Sequence, residues 1–441
     1  MESSHTIKSE LRTPAPDLTV DLERLRNTGV SVFLTVGIVL WMLYMVNSFR
    51  LPTQEILLSD KNAGGAIRQV IFAGCGFLAV WRLLVTRSLG AVCMIHWPVF
   101  LVGGLIVFSA VWSERMGLTL KRSSIYIFGF LALACILHSS TNPVRFMIRT
   151  VVFFCGAVAF LSVVFYFILP SACTVNPGRP GLAGVAIHPN TLAPFLSIGL
   201  MLSFGFQHTN KDETLLLRSI QIFLVLALML TVSITAIVTT LIGISVYIFL
   251  SSNAYERGSL QIMAFFVFLI VSLLGVSTLK SSFFDAVGRD ESLSGRDELW
   301  ITVMYEVKKE PLIGHGFGAF WTEGKGRELV QTWNPRQSHH AYVDILVDLG
   351  VVGLIVFLFV FPLTLILRWG RVAGKYGTWQ RKAASSMLAV AFSYMSFYAM
   401  GQSFFLRMDA FPFFILLWIT LLLSNRDRNN INREFETLGA V

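Results

Sequence analysis

Apolar runs of about 20 residues recur along this chain from Val30 to Ser424, the length an α-helix needs to cross the hydrocarbon of a bilayer. Inside lipid every backbone N–H and C=O must find its partner within the protein, so repeated runs of this kind commit the chain to a helix bundle. Composition agrees. Hydrophobic residues make up 54% and charged residues 14%, with a mean hydropathy of +0.67. Soluble domains carry roughly 25% charge, so too little polar surface is left here to coat water-soluble globules. Soluble-enzyme, collagen-like and disordered readings are excluded. The expected fold class is all-α: a polytopic membrane protein with about 12 transmembrane helices and one long, partly helical outward loop.

The expected organisation is a polar tail at 1–27, nine spans within 28–279, the loop at 280–340, three further spans within 341–424 and a second tail at 425–441. The first tail lacks the short apolar core and small-residue cleavage site of a signal peptide. Spans seven and eight, on either side of Thr231-Val232-Ser233-Ile234-Thr235, are short enough to form a hairpin that does not fully cross. With the N-terminus inside, about 19 of the 35 Lys and Arg fall on cytoplasmic segments, against about 8 on short outward loops. Both termini are therefore expected in the cytoplasm. The net charge of +9 is explained by this topology rather than by nucleic acid, because the basic residues are scattered and form no aromatic-interleaved stripe. Of the five cysteines, Cys75, Cys93, Cys135 and Cys155 lie in apolar runs and Cys173 in a loop, which writes neither a disulfide framework nor a metal site.

The outward loop reads as folded. Ser294 with Asp297 three residues on forms a helix-start signal, and Leu299, Trp300, Val303, Met304 and Val307 then repeat at helical spacing. Lys308 and Lys309 complement the helix dipole, and Pro311 with Gly314 stops the helix. A second helix is expected to begin at Ser338 and continue into the tenth span. P-loop, nucleophile-elbow and zincin motifs are absent, as is any Asp-x-Asp pair. Gly314-His315-Gly316-Phe317-Gly318 resembles a phosphate loop superficially but lacks the βαβ context.

What remains is outward polar chemistry in three places. Asn176 to Gly181, with Arg179 at its centre, leads to His188-Pro189-Asn190 at the mouth of the sixth span; Arg296 sits at the loop helix's start; Ser338-His339-His340-Ala341-Tyr342 forms the mouth of the tenth span. Arginine offers phosphate a bidentate fork, and a helix start adds free N–H groups and a dipole. The bland readings stand beside these: Arg296 paired with Glu291 or Glu298, and His188 and Asn190 as turn and N-cap. His339 in a first helical turn would be held neutral by the dipole, as a general base requires. His340, four residues from Asp344, could be oriented by that carboxylate. Trp321, Trp333, Phe317 and Phe320 are candidate sugar-stacking rings.

Pro311 to Phe320, followed by His339-His340 and Gly350-Val351-Val352-Gly353, resembles the paired signature of the O-antigen ligase and polysaccharide polymerase (Wzy-like) superfamily. Gly288-Arg289-Asp290 to Trp300 is similar to its exopolysaccharide-polymerase branch, and His188-Pro189-Asn190-Thr191-Leu192-Ala193 to its sixth-span entry. The resemblance implies a GT-C-like, metal-independent glycosyltransferase of the bacterial inner membrane, without cofactor, acting on the periplasmic face. Its donor and acceptor would be polyprenyl-diphosphate-linked oligosaccharides, its product exopolysaccharide or O-antigen, and its protein partners a chain-length regulator and a flippase; nucleic acid is not expected. By the resemblance His339 is the catalytic residue, Arg179 and Arg296 hold the diphosphate, and His188, Asn190, His340 and Tyr342 support them. Two departures stand out: His340 replaces the usual Asn, Ser or Gln, and Ile234 stands where many relatives carry a basic residue. A ligase that transfers glycan to a lipid A core is the alternative within this chemistry. An exporter or lipid-linked-sugar flippase is the alternative from another class, though paired halves and midplane charges are not evident.

Overall fold

The computed structural model describes residues 18–27, 32–46, 63–168, 174–176, 179–186, 188–251, 296–322, 325–329, 335–365, 367 and 378–424. It is helical almost throughout: α1 (Leu18–Asn27), α2 (Val32–Val46), α3 (Ala63–Val85), α4 (Leu89–Ile95), α5 (Trp97–Phe108), α6 (Met116–Ser139), α7 (Pro143–Ile168), α8 (Pro189–Ser203), α9 (Lys211–Leu230), α10 (Ile234–Ser251), α11 (Arg296–Lys309), α12 (Ala341–Val360), α13 (Thr378–Ser393) and α14 (Phe411–Ser424). A short antiparallel ribbon, β1 (Thr174–Asn176) with β2 (Arg179–Leu182), stands between α7 and α8. The all-α polytopic expectation is met.

Among the described residues six helices are long and apolar enough to cross a membrane, or seven if α3 and α4, bent by 107° at their junction, count as one. The twelve-span expectation exceeds this because α2, α14 and the segment Trp97–Val111 are apolar but shorter, and α8, at the expected sixth span, has only 15 residues. The expected span at 260–279 lies outside the described residues, as do residues 280–295, residues 1–17 of the first tail and the second tail, while α1 occupies the rest of the first tail. Spans seven and eight are separate helices, α9 of 20 residues and α10 of 18, each long enough to cross.

Local sequence explains several boundaries. Asn210 caps α9 by accepting from Glu213 N–H at 2.8 Å, and Glu213 reaches back to Thr209 N–H at 2.7 Å, a reciprocal arrangement like a capping box. Asn142 accepts from Arg145 N–H at 3.0 Å with Pro143 as first residue of α7, where proline's missing donor costs nothing. Every residue of α14 is buried, so this helix, apolar on all sides, forms the centre of the bundle. Phe411 of α14 stacks on Phe195 of α8 with centroids 4.0 Å apart. Trp41 of α2 stacks on Phe72 at 4.2 Å and donates its indole N–H to Met408 O at 2.9 Å, tying the first helices to the last loop. Outward from this core, Phe33, Phe77, Trp81 and Ile222 stay exposed, as a lipid-facing surface would leave them.

Candidate active site

The α5–α6, α7–α8 and α9–α10 connections, the segment before α12 and the 402–410 loop share one end of the bundle, because contacts link them. Within the 280–340 segment, α11 forms where its spacing predicted. Leu299, Val303 and Val307 are buried against Phe320, Trp321 and Val347, while Met304 faces outward. Trp300 donates its indole N–H to Ser338 O at 2.9 Å. Arg296, the first described residue of α11, lies one turn earlier, about 6 Å along the axis at 1.5 Å per residue.

The glycine-rich segment 314–318 serves as a clamp on α12. That helix breaks at Gly350, where φ is 65° and ψ −166°. The break frees four backbone groups. His315 and Gly316 N–H donate to Val347 O (2.8 Å) and Asp348 O (2.9 Å), while Val351 and Val352 N–H donate to Pro311 O (2.9 Å) and Leu312 O (3.1 Å). Irregular backbone inside a span is tolerated only where protein satisfies it, and this loop does so. The N–H groups that made the segment look like a phosphate loop are spent within the protein: those of His315 and Gly316 on α12, that of Gly314 on Glu310 O and that of Phe317 on Ser109 Oγ.

The mouth of α12 corrects the sequence reading. The helix begins at Ala341, not Ser338; His340 is its N-cap and His339 stands outside it with φ of 59°, a left-handed conformation rare for a side-chain-bearing residue. Local hydrogen bonds force this start. Asp344 Oδ1 accepts from Ser338 N–H at 2.9 Å and from Trp321 Nε1–H at 3.1 Å, and Ser338 Oγ accepts from His340 N–H at 3.1 Å. Asp344 therefore holds the loop, and no hydrogen bond from it orients the His340 ring. His340 sits edge-on to Trp300 at 5.9 Å with Nδ1 buried and unpartnered among the described residues. Burial lowers its pKa, keeping the ring neutral. His339 Nδ1 faces Gln337 Nε2 at 3.4 Å, and Gln337 Oε1 accepts from Arg407 Nη1 at 2.7 Å. Tyr342 donates to Met395 O at 2.7 Å, inside a π-helical turn, Tyr394–Tyr398, that continues α13.

At the mouth of α8, His188 is the N-cap. Its Nδ1 accepts from Asn190 N–H at 3.0 Å, and Asn190 Oδ1 accepts from Ser233 Oγ at 3.1 Å across to the start of α10. Arg179 begins β2, and Gly181 of that strand lies so close to the Thr231 carbonyl that an added Cβ would sit 2.6 Å from it. The described contacts thus carry the Arg179 strand to the α9–α10 turn, while Arg296 and His339 are joined through Trp300. Ile234, in place of a basic residue, is the first residue of α10 and packs beside Val238 and Ile242.

Three of the four rings proposed for sugar stacking are otherwise occupied: Phe317, Phe320 and Trp321 are buried, and Trp333 lies outside the described residues. A cavity of about 380 Å³ opens nearby between Trp112, Glu114, Glu306, Glu310, His315 and Lys325. Lys325 Nζ bridges Glu114 at 2.5 Å and His315 Nδ1 at 3.2 Å. The ammonium holds the Glu114 carboxyl below its ordinary range, and burial with that same charge lowers His315. Residues missed by the sequence reading are Gln337, Arg407 and the π turn. Arg407 and Asp409, two charges in a short apolar connection, were the available signal.

Two comparisons bear on this geometry. Residues 220–358 match the family model described as O-antigen ligase, a stretch that includes α10, α11 and the His339 loop. The exopolysaccharide production protein ExoQ of Rhizobium meliloti (strain 1021) is 31% identical over 78 residues, 16% of this chain and 18% of that protein, so the matched stretch spans less than a fifth of the relative. Through the segment 220–358, this polytopic membrane protein is similar to the O-antigen ligase (Wzy-like) family.

Proposed function

We propose that the protein is a glycosyltransferase of the bacterial inner membrane that joins polyprenyl-diphosphate-linked oligosaccharide units on the periplasmic face. The observation that carries this reading is the Trp300–Ser338 hydrogen bond, which sets the Arg296 helix start beside the His339 loop at one end of a lipid-embedded bundle. An arginine at a helix start suits a diphosphate, and an imidazole next to it suits the hydroxyl that attacks. In the proposed reaction the acceptor hydroxyl attacks the anomeric carbon from the face opposite the diphosphate. The new glycosidic C–O bond forms as the bond to the diphosphate breaks, the hydroxyl proton passes to His339, and polyprenyl diphosphate leaves with its bonding pair. Arg296 and Arg179 stabilise the charge developing on that leaving group, where fixed cations help most. The polyprenyl tail enters sideways from lipid, so no aqueous channel is required. His188, Asn190, His340 and Tyr342 act as supports, holding the mouths of α8 and α12 in register. A chain-length regulator and a flippase are the expected protein partners.

Both termini in the cytoplasm, the organisation set out above and the polymerase activity are parts of this proposal. Transfer to a lipid A core would use the same donor chemistry and differ in acceptor alone. Purified protein with a defined polyprenyl-diphosphate oligosaccharide, with and without lipid A core, resolved by gel and mass spectrometry, decides between them. Ladders on the prenyl carrier support the polymerase and product on the core supports the ligase. Transbilayer movement of the lipid with no new glycosidic bond would overturn both.

A further inference from the structure

His339 is held in an unusual way. Its left-handed backbone is one of four such side-chain-bearing positions among the described residues, and two of the others, Val232 and Leu406, lie at the same end of the bundle. Leu406 immediately precedes Arg407. Strained backbone persists where surrounding structure over-determines it, and such positions gather at functional sites. Here the restraint is visible. Arg407 is fixed by its own turn, with its N–H donating to Phe404 O at 3.3 Å and its carbonyl accepting from Ala410 N–H at 3.0 Å. Its guanidinium lies 3.4 Å from both oxygens of Asp409 and donates to Gln337 Oε1 at 2.7 Å.

Guanidinium can only donate, so its contact pins the oxygen of the Gln337 amide and turns the NH2 group toward His339 Nδ1. Facing a donor, Nδ1 cannot carry the proton of a neutral imidazole, which therefore resides on Nε2. Resting on the glycosyl-transfer reading above, we propose that Gln337, pinned by Arg407, is a positioning residue that fixes the His339 tautomer and makes Nδ1 the nitrogen that accepts the acceptor's proton. The amide contact, at 3.4 Å, is long enough for an incoming hydroxyl to displace it. Arg407 thereby has a different task from Arg179 and Arg296: it needs one donor toward an amide oxygen, not a fork for phosphate. The charged and titratable groups on the elements around this loop include Arg336 and His340 on the loop itself, Arg407 and Asp409 on the 402–410 loop, and Tyr342, Asp344 and Asp348 on α12; Arg407 also senses the last two electrostatically.

The test uses the full-length protein in detergent with a defined polyprenyl-diphosphate oligosaccharide. Arg407→Met frees the amide, and kcat is expected to fall by about tenfold to a hundredfold with KM for the donor unchanged, the effect of misplacing a reacting group. Arg407→Lys, which still donates to Oε1, is expected to restore most of the rate. A second readout does not depend on turnover: labelling of His339 by diethyl pyrocarbonate across pH, resolved by peptide mass spectrometry. Gln337→Glu places a carboxylate on Nδ1 and is expected to raise the labelling midpoint by about one pH unit or more. An unchanged kcat in Arg407→Met, a rise in KM at constant kcat, or an unchanged midpoint in Gln337→Glu overturns the proposal. Should the wild-type protein transfer no sugar, the functional reading fails by itself and the labelling arm still decides whether the Gln337 side chain contacts the His339 ring, on which the tautomer assignment depends.

Discussion

Trp300 on α11 reaches 38 residues along the chain to donate its indole N–H to the Ser338 carbonyl at 2.9 Å, and this one bond joins the loop helix to the residue before His339. The same indole receives the edge of His340 at a centroid distance of 5.9 Å. Trp300→Phe keeps the ring but removes the donor. Activity is expected to drop about tenfold while thermal stability changes by only about 1 kcal/mol, the worth of a single hydrogen bond. Full activity in Trp300→Phe, with a loss only in Trp300→Ala, would show that bulk, not the bond, matters.

The two histidines separate on geometry. His339→Ala is expected to abolish polymer, since a general base contributes about a hundredfold to ten-thousandfold. Protein level and membrane insertion should be unaffected, because the residue lies in a half-buried loop outside α12. His340→Asn is expected to remain active: the cap is made by the His340 backbone, which Asn preserves, and the ring's buried Nδ1 has no partner to lose. Normal polymer from His339→Ala together with a silent His340→Asn would reverse the assignment.

Much of this was legible in the sequence because it rests on periodicity. The buried Leu299, Val303 and Val307 stripe of α11 follows from spacing alone. The Pro311 and Gly314 stop was equally plain, and so was the bundle of apolar helices. What was not legible rests on contacts distant in sequence. The start of α12 shifted from Ser338 to Ala341 because Asp344 folds back on Ser338 N–H, and only a three-dimensional loop brings Trp321 to the same carboxylate. Segment 314–318 looked like a ligand loop until the N–H groups of His315 and Gly316 met the break at Gly350 and that of Phe317 met Ser109 Oγ. Arg407 lies 70 residues from Gln337, beyond any local pattern.

Arg179 and Arg296 are proposed to grip a diphosphate, for which charge alone is insufficient. Lysine keeps the charge and loses the planar fork, so Arg179→Lys and Arg296→Lys should each lower kcat/KM by about tenfold or more. EDTA should leave the rate unchanged, since the proposed chemistry invokes no metal. The contrast with Arg407→Lys, expected to be active, makes the series diagnostic: full activity in Arg296→Lys would remove that residue from the diphosphate site.

His315 gives the fold a pH dependence of known sign. It stacks on Phe320 with centroids 5.2 Å apart, and burial followed by the Lys325 charge lowers its pKa below the ordinary 6.5. Between 6.5 and that lower value the unfolded chain binds a proton that the folded chain refuses, so stability falls as pH drops through this window. The thermal midpoint of the wild-type protein is expected to decline from neutral to acidic buffer. The decline should be shallower in His315→Gln. Parallel curves for the two proteins would mean that other groups carry the acid sensitivity.

Gly350 supplies the sharpest stability test, because its backbone geometry, with φ of 65° and ψ near −166°, belongs to a region open essentially to glycine alone. A Cβ there would also run into the Leu312 carbonyl, part of the strand of loop that repairs the α12 break. The partner position is equally closed, since a Cβ on Gly314 would lie 2.6 Å from Asp348 C and Leu349 N. Gly350→Ala is therefore expected to cost about 3 kcal/mol or more from strain and overlap together, and to detach the 311–318 segment from α12. Gly104 on α5 is the control: nothing lies within 4 Å of its would-be Cβ, so Gly104→Ala should be neutral or stabilising by about 0.5–1 kcal/mol. Thermal unfolding of both variants in the same detergent measures the difference. A Gly350→Ala protein as stable as Gly104→Ala would show that α12 can run straight through this point without the clamp.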